Sequence, residues 1–370
     1  MRGRFMRVRF DQSRLRPSRF LQGQFLQGLV SRHPVGAAGL ALGLALGAAP
    51  AGAAEVNLYT TREPGLIRPL LDAFTARTGT TVNTVFVEKG LAERVAAEGA
   101  RANADVLMTV DIGNLIDIVD RGLAQPVQSP TLEAAVPAAL RDADGRWFAL
   151  STRARVAYAD AKDLADLKAL TYEDLADPKW KGKLCLRSGQ HPYNTALIAH
   201  HLVKHGAEKT EAWLRGVKAN LAKKPAGGDR DVARDILAES CELGLGNSYY
   251  VGLMRSGRGG PEQQKWGEAI RVVLPTFAGG GTHVNVSGAA VAKNAPNRAD
   301  AVKLLEYLVS DEAQGLYAKT DYEYPVKAGA PIDPLLTALG PLTIDAVPVA
   351  EIARNRKAAS LLVDKVGFDQ

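Results

Sequence analysis

The chain of 370 residues carries 46 basic and 40 acidic side chains, a net charge of +6. Eight arginines and one aspartate of that count lie within residues 1–34, so residues 55–370 hold 38 basic against 39 acidic groups. That balance leaves no cationic face for nucleic acid, and this class of partner is excluded.

The arginine-rich start runs into "VGAAGLALGLALGAAPAGAAEV", an apolar core followed by small residues at Ala-x-Ala spacing. This order predicts a signal peptide over residues 1–54 and export to the periplasm. The apolar core is about a dozen residues long, short of the roughly 20 that span a bilayer. No later apolar run reaches that length, so a soluble exported product is expected. Residues 55–370 exceed the size at which one core usually keeps growing, and two lobes are expected.

From Glu55 the pattern alternates between strand and helix. "EVNLYT" reads as a strand and "LIRPLLDAFTARTG" as an amphipathic helix ending at Gly79. The strand "TTVNTVFV", the helix "LAERVAAEGARA", the apolar strand "ADVLMTV" and the helix "IGNLIDIVDRG" follow. The alternation predicts an α/β lobe with a largely parallel sheet. "RWFALSTRARVAYAD" is a long strand that carries the chain out of this lobe. A second α/β unit then reads as the strand "KLCLRSG", helices over "TALIAHHLVKHG" and "TEAWLRGVKANLA", the helix "VARDILAES" and the strand "CELGLGN". "AIRVVLPTFAGGGTHVNVSGAAVAK" supplies returning strands, "NRADAVKLLEYLVSDEAQGLYAK" a helix, and an irregular tail closes the chain. One lobe is therefore assigned residues 55–155 plus 277–325, the other 156–276 plus 326–370. Loops at the carboxyl ends of such strands form the ligand crevice. Here they are "TTREP", "STRAR", "SGQHPYN", "GNSYY" and "AGGGTH".

Cys185 and Cys241 are the only cysteines. An even pair in an exported chain reads as one disulfide, the alternative being two buried thiols.

Two of the ten tyrosines, Tyr249 and Tyr250, are adjacent at a strand-to-helix junction, with Asn247 and Ser248 as cap residues. Taken alone, such neighbours read as one buried and one exposed ring. "SGQHPYN" repeats the geometry with Tyr193 followed by Asn194 as the expected cap, and three phenols facing one crevice need a chemical reason. A neutral phenol has a pKa near 10, but a hard, highly charged cation acidifies its ligands, and three phenolates balance Fe³⁺. Arg153 and Arg155, two apart on a strand, share a face and are candidates for an anion partner. Arg62 and Glu63 lie on the first crevice loop, either in the site or as an ordinary exposed ion pair. His201 and His205 have the i, i+4 spacing of a zinc helix but no intervening acid, and a solvated helix face is expected for them. No serine-hydrolase elbow or nucleotide-binding phosphate loop is present, so no nucleotide and no catalysis are expected.

The motifs "NLYTTREPGL", "ADVLMTVDIGNL", "STRARV", "YEDLADPKWKGK", "RSGQHPYN", "NSYYVGL" and "GGTHVNVSGAAVAKNAPN" resemble the periplasmic ferric-iron-binding proteins of ABC importers. The resemblance implies a two-lobed type II periplasmic-binding-protein fold, each lobe a mixed sheet flanked by helices. It also implies a monomer that hands Fe³⁺ to the membrane permease of an ABC transporter. It assigns iron ligation to Tyr193, Tyr249 and Tyr250 and a supporting role to Arg153. Many relatives carry His-Tyr where this chain has Glu63-Pro64. Glu63, water, or an anion such as carbonate held by Arg62 or Arg153 are the alternatives for completing the shell. An organic anion or ferric chelate as ligand is the second reading, and a secreted metal-dependent hydrolase using the histidines the third.

Overall fold

The computed structural model describes residues 54–370, so the signal peptide predicted over residues 1–54 lies outside the described residues save its last position. The strands are β1 (Glu55–Thr60), β2 (Thr81–Phe86), β3 (Val106–Thr109), β4 (Ala124–Gln125) and β5 (Phe148–Asp160), then β6 (Leu184–Cys185), β7 (Leu243–Asn247), β8 (Ile270–Val273), β9 (Val284–Ala292) and β10 (Tyr324–Pro325). They hydrogen-bond in the order β2-β1-β3-β9-β5-β7-β6, with β4, β8 and β10 branching off. The β1–β2 and β1–β3 pairs are parallel, as the strand–helix alternation predicts. The returning strand β9 is antiparallel to β3, which makes the sheet mixed.

The strand β5 is 13 residues long and changes partner at its middle. Its first half pairs with β9, ending at Ala154 opposite Val284, and its second half pairs with β7 and β8, starting with Arg155 opposite Asn247. One strand thus serves two sheets, and Arg153 and Arg155 stand on either side of the changeover. The buried Tyr172 hydroxyl fixes this point, donating to the Arg155 carbonyl (2.6 Å) and accepting from the His283 N–H (3.1 Å). Two large apolar clusters pack against the sheets. One is built on Ile67, Leu70, Phe74 and Trp147, the other on Tyr172, Trp180, Trp213 and Phe277. Each large side chain so buried contributes roughly 1.5–3 kcal/mol.

Helix Pro64–Thr78 ends as expected, with Gly79 at φ 72° closing the last turn. Gly281 allows the close backbone packing expected of "AGGGTH", since a Cβ there would lie 2.5 Å from the backbone of Ile344 and Asp345. The two helices expected around "HHLVKHG" and "TEAWLRG" are both present within Pro192–Ala219, separated by Gly206 in a non-helical conformation (φ 79°, ψ 170°). Elsewhere the structure departs from the sequence reading. The helix expected over "NRADAVKLLEYLVSDEAQGLYAK" is two, Arg298–Leu308 and Asp311–Asp321, because the Ser310 hydroxyl caps a new start at the Ala313 N–H. The tail expected to be irregular contains helices Pro334–Thr337, Val349–Arg354 and Arg356–Val366. It is tied to helix Pro192–Ala219 by the Lys218 ammonium donating to the Val366 and Gly367 carbonyls. Among the described residues no helix is long and apolar enough to cross a membrane.

Candidate functional site

Helix Pro192–Ala219 begins with Pro192 in its first turn and His191 as the cap, whose ring Nδ1 accepts from the Tyr193 N–H (3.2 Å). Burial, with the nearby Arg187 cation, pushes the His191 pKa down to about 4, so Nδ1 keeps its lone pair at neutral pH. Asn194, expected as the cap, lies instead inside the first turn. Its amide donates to the Arg187 and Ser188 carbonyls, and its Oδ1 accepts from Arg155 (2.7 Å).

The tyrosine pair Tyr249 and Tyr250 is set by the end of β7. Gly246 must be glycine because a Cβ there would lie about 2 Å from the Tyr158 ring. The Asn247 N–H donates to Asp229 (2.9 Å), and the Ser248 hydroxyl accepts from the Ala154 N–H (3.1 Å). Helix Ser248–Arg255 is thereby bonded to β5 at the changeover, between Arg153 and Arg155. Asn247 stands at the cap position but makes no capping bond; its side-chain oxygen accepts from Arg155 instead.

These two helix starts bring the three predicted tyrosines together. The Tyr193 and Tyr249 hydroxyls are 3.3 Å apart, and the Tyr249 and Tyr250 rings lie 4.1 Å apart at 37°. All three side chains are half-buried, so the pattern of one buried and one exposed ring does not apply. Ligand oxygens on adjacent positions of a small hard cation, with bonds of about 2 Å, sit roughly 2.8 Å apart, close to the 3.3 Å present. Burial and the neighbouring phenols raise the pKa of Tyr249 well above its ordinary value, and burial with Tyr193 raises that of Tyr250. Both hydroxyls therefore stay protonated until a cation displaces their protons.

Guanidinium groups surround the phenols. Arg153 and Arg187 lie 6.0 and 5.3 Å from the Tyr193 ring centre, and Arg230 lies 5.5 Å from that of Tyr250. Arg153 is 2 % exposed and donates through Nη1 to Ser287 (2.9 Å), while its Nε and Nη2 are buried with no hydrogen-bond partner among the described residues. Such a buried, unsatisfied cation is what an added anion would pair with.

The other predicted arginines are paired within the protein. Arg155 bonds Asp229 (2.6 Å), Asn194 and Asn247, which ties both helix starts to one buried ion pair. Arg62, read as one half of an exposed pair or as a site residue, is buried and bonds Asp321, Glu323 and Ser287. Burial opposes its charge, but Glu323 and Asp321 outweigh this and raise its pKa. Burial also lifts Asp321, to about 7, against the pull of Arg62. Glu63 is exposed and makes no side-chain hydrogen bond among the described residues. Cys185 and Cys241 form the predicted disulfide, which closes 56 residues of chain across the β6–β7 end of the sheet. The solvated face expected for His201 and His205 holds only in part: His205 is partly exposed, but His201 is buried and stacked on Trp213 at 4.4 Å.

Sequence reading missed Asp229, Arg187, Arg230, His191, Asp321 and Glu323. The pair Asp321 and Glu323 in "DYEYP" alternates as a strand would, the one signal pointing to a common face.

The model of the family described as bacterial extracellular solute-binding protein matches residues 102–338. The chain belongs to that family. Among its relatives, Iron uptake protein A1 of Synechocystis is 39% identical over 315 residues, 85% of this chain and 87% of that protein. A solved Bordetella ferric binding protein shares 65% identity over 85% of this chain and all of the other, with a TM-score of 0.82. A Trichodesmium structure in complex with iron and citrate ligands shares 40% identity over 85% of this chain and 99% of that one, with a TM-score of 0.81. The solute-binding protein thus has the two-lobed α/β fold expected of it, in a family of binding proteins rather than enzymes.

Proposed function

We propose that this solute-binding protein captures Fe³⁺ with Tyr193, Tyr249 and Tyr250 as phenolate ligands and delivers it to the membrane permease of an ABC transporter. The observation that carries the reading is the meeting of three phenols at two helix starts, beside a buried Arg153 with two free donors. Three phenolates neutralise Fe³⁺, and Arg153 pairs with a synergistic anion such as carbonate. Arg155 and Arg62 act one step away, positioning the helix starts and Ser287. Residues 55–155 with 277–325 and residues 156–276 with 326–370 form the lobes that close on the ion, in a protein that works as a periplasmic monomer.

Purified protein saturated with Fe³⁺ is expected to show a visible phenolate-to-iron absorption band, altered by Tyr250→Phe. A colourless saturated complex overturns the reading. The second reading, a ferric chelate as cargo, draws on the relative solved with iron and citrate. Calorimetry with Fe³⁺ in carbonate and then in citrate separates the two, since a chelate receptor binds only in the second.

A further inference from the structure

The face of helix Pro192–Ala219 beyond the tyrosines carries a cluster that the iron reading does not use. His201 and His205 are one helical turn apart and lie on the same face. Their ring centres are 4.4 Å apart. The acid absent between them in sequence comes from another element, Glu173 at the start of the 3₁₀ turn Glu173–Ala176. One ligand atom from each of Glu173, His201 and His205 lies within 4.8 Å of the others. His201 is eight residues past Tyr193, about 12 Å along the helix at 1.5 Å per residue, so this is a separate place in the fold.

The surroundings hold the ligands as metal ligands are held elsewhere. The Thr210 hydroxyl donates to the Gly206 carbonyl (2.8 Å), so its lone pair accepts from the His201 Nδ1–H (2.9 Å). That chain fixes the tautomer and leaves Nε2 with the lone pair, the outer-shell arrangement usual for a ligating histidine. Stacking on Trp213, at 15° between planes, fixes the orientation of the ring. Glu173 is anchored by the Ala278 N–H (3.2 Å), and its other oxygen is 2.7 Å from His205 Nε2. The Glu173 and His205 side chains are about a quarter exposed, which leaves an opening to solvent.

We propose that Glu173, His201 and His205 form a second metal site, for a divalent borderline cation of which zinc is the best match. Two imidazoles and one carboxylate with an open fourth position suit Zn²⁺, whereas the three phenols suit a hard trivalent ion. Zinc with bonds of about 2.0–2.1 Å sets tetrahedral ligand atoms roughly 3.3 Å apart. The ion would replace the proton now shared by His205 and Glu173 and spread those two atoms by about half an ångström. The site draws together the 3₁₀ turn, the helix just before its kink at Gly206 and, through Ala278, the loop leading into β9. Its role is therefore to staple the kinked helix to that loop, with no chemistry required of it.

The test is zinc calorimetry on the metal-stripped chain, alongside Co²⁺ absorption spectra. Both are repeated in a Tyr193→Phe/Tyr249→Phe/Tyr250→Phe background, where the phenol site contributes nothing. One equivalent of Zn²⁺ is expected in both backgrounds, with the visible bands of four-coordinate Co²⁺. Glu173→Gln and His205→Ala, both at positions about a quarter exposed, are each expected to weaken zinc at least tenfold and to leave the iron-dependent absorption unchanged. Absence of saturable zinc binding overturns the proposal. So does zinc bound as tightly by both variants as by the parent, because the ion would then sit elsewhere.

Discussion

Asp229 is the residue on which both tyrosine-bearing helix starts depend. Its carboxylate is fully buried and accepts from Arg155 (2.6 Å), Arg187 (3.1 Å) and the Asn247 N–H (2.9 Å). Replacing it by asparagine keeps the shape but removes the charge and turns an N–H₂ toward one of three donors. The buried Arg155 and the partly buried Arg187 are then left without their counter-ion. Breaking a buried pair in this way costs about 3–5 kcal/mol. At about 2.1 cal/mol/K of unfolding entropy per residue, a chain of this length has roughly 0.7 kcal/mol/K, so Tm falls by about 4–7 °C. Circular dichroism of the metal-free protein measures this. Adding Arg155→Met removes one stranded cation, so the double variant is expected to recover part of the loss. Asp229→Asn is also expected to weaken Fe³⁺, since the Asn247 N–H loses its carboxylate partner and Arg155, which holds Asn194 Oδ1, loses its counter-ion. A Tm shift below about 1 °C, or losses that simply add in the double variant, would refute the argument that this ion pair organises the site.

Three further outcomes follow from the same geometry. Burial raises the Tyr249 and Tyr250 pKa values, so the free protein holds these protons at neutral pH and must release them on binding. Iron affinity is therefore expected to fall as pH falls, with log K changing by up to about three per pH unit for three phenols. Proton release measured in weakly buffered solution checks the count, and a pH-independent affinity contradicts it. Arg153→Gln is expected to abolish most of the gain in iron affinity given by carbonate or citrate, by roughly 10- to 150-fold at about 1.5–3 kcal/mol for charged hydrogen bonds. Competition titrations read this directly, and an unchanged anion dependence removes Arg153 from the site. The double variant Cys185→Ser/Cys241→Ser is expected to lose about 4 kcal/mol, seen as a lower urea midpoint, if loop entropy governs the bridge. An equal midpoint for the oxidised parent and the variant excludes that contribution.

The tyrosine constellation was legible because helix starts have a local signature. "GNSYY" and "HPYN" each combine a strand end, a turn and cap-forming residues within a few positions. Which residue does the capping was not legible. Asn194 and Asn247 both have the right side chain, yet each gives its oxygen to Arg155, 39 and 92 residues away. A buried guanidinium outcompetes a local amide because leaving it unpaired costs more than leaving a cap unmade. The helix break at Ser310 and the first two tail helices were visible as Ser310, Pro334 and Pro348 at or beside their starts, but continuous helical periodicity masked the first and short length the other two.

The same reasoning explains why the first loop misled. Arg62 sits next to Glu63 in sequence, and a local reading pairs them. The fold instead carries Arg62 inward to Asp321 and Glu323, more than 250 residues along the chain, and leaves Glu63 in solvent. Two carboxylates against one guanidinium leave that cluster with excess negative charge, which burial relieves by raising Asp321 toward neutrality. Ser287, bonded to both Arg62 and Arg153, joins the cluster to the phenol site. Arg62 therefore has no charge to offer an incoming anion. Arg153, beside Tyr193 and forming no ion pair among the described residues, does. In the proposed site three phenolates neutralise Fe³⁺, and an added anion is drawn to the Arg153 donors that have no partner among the described residues.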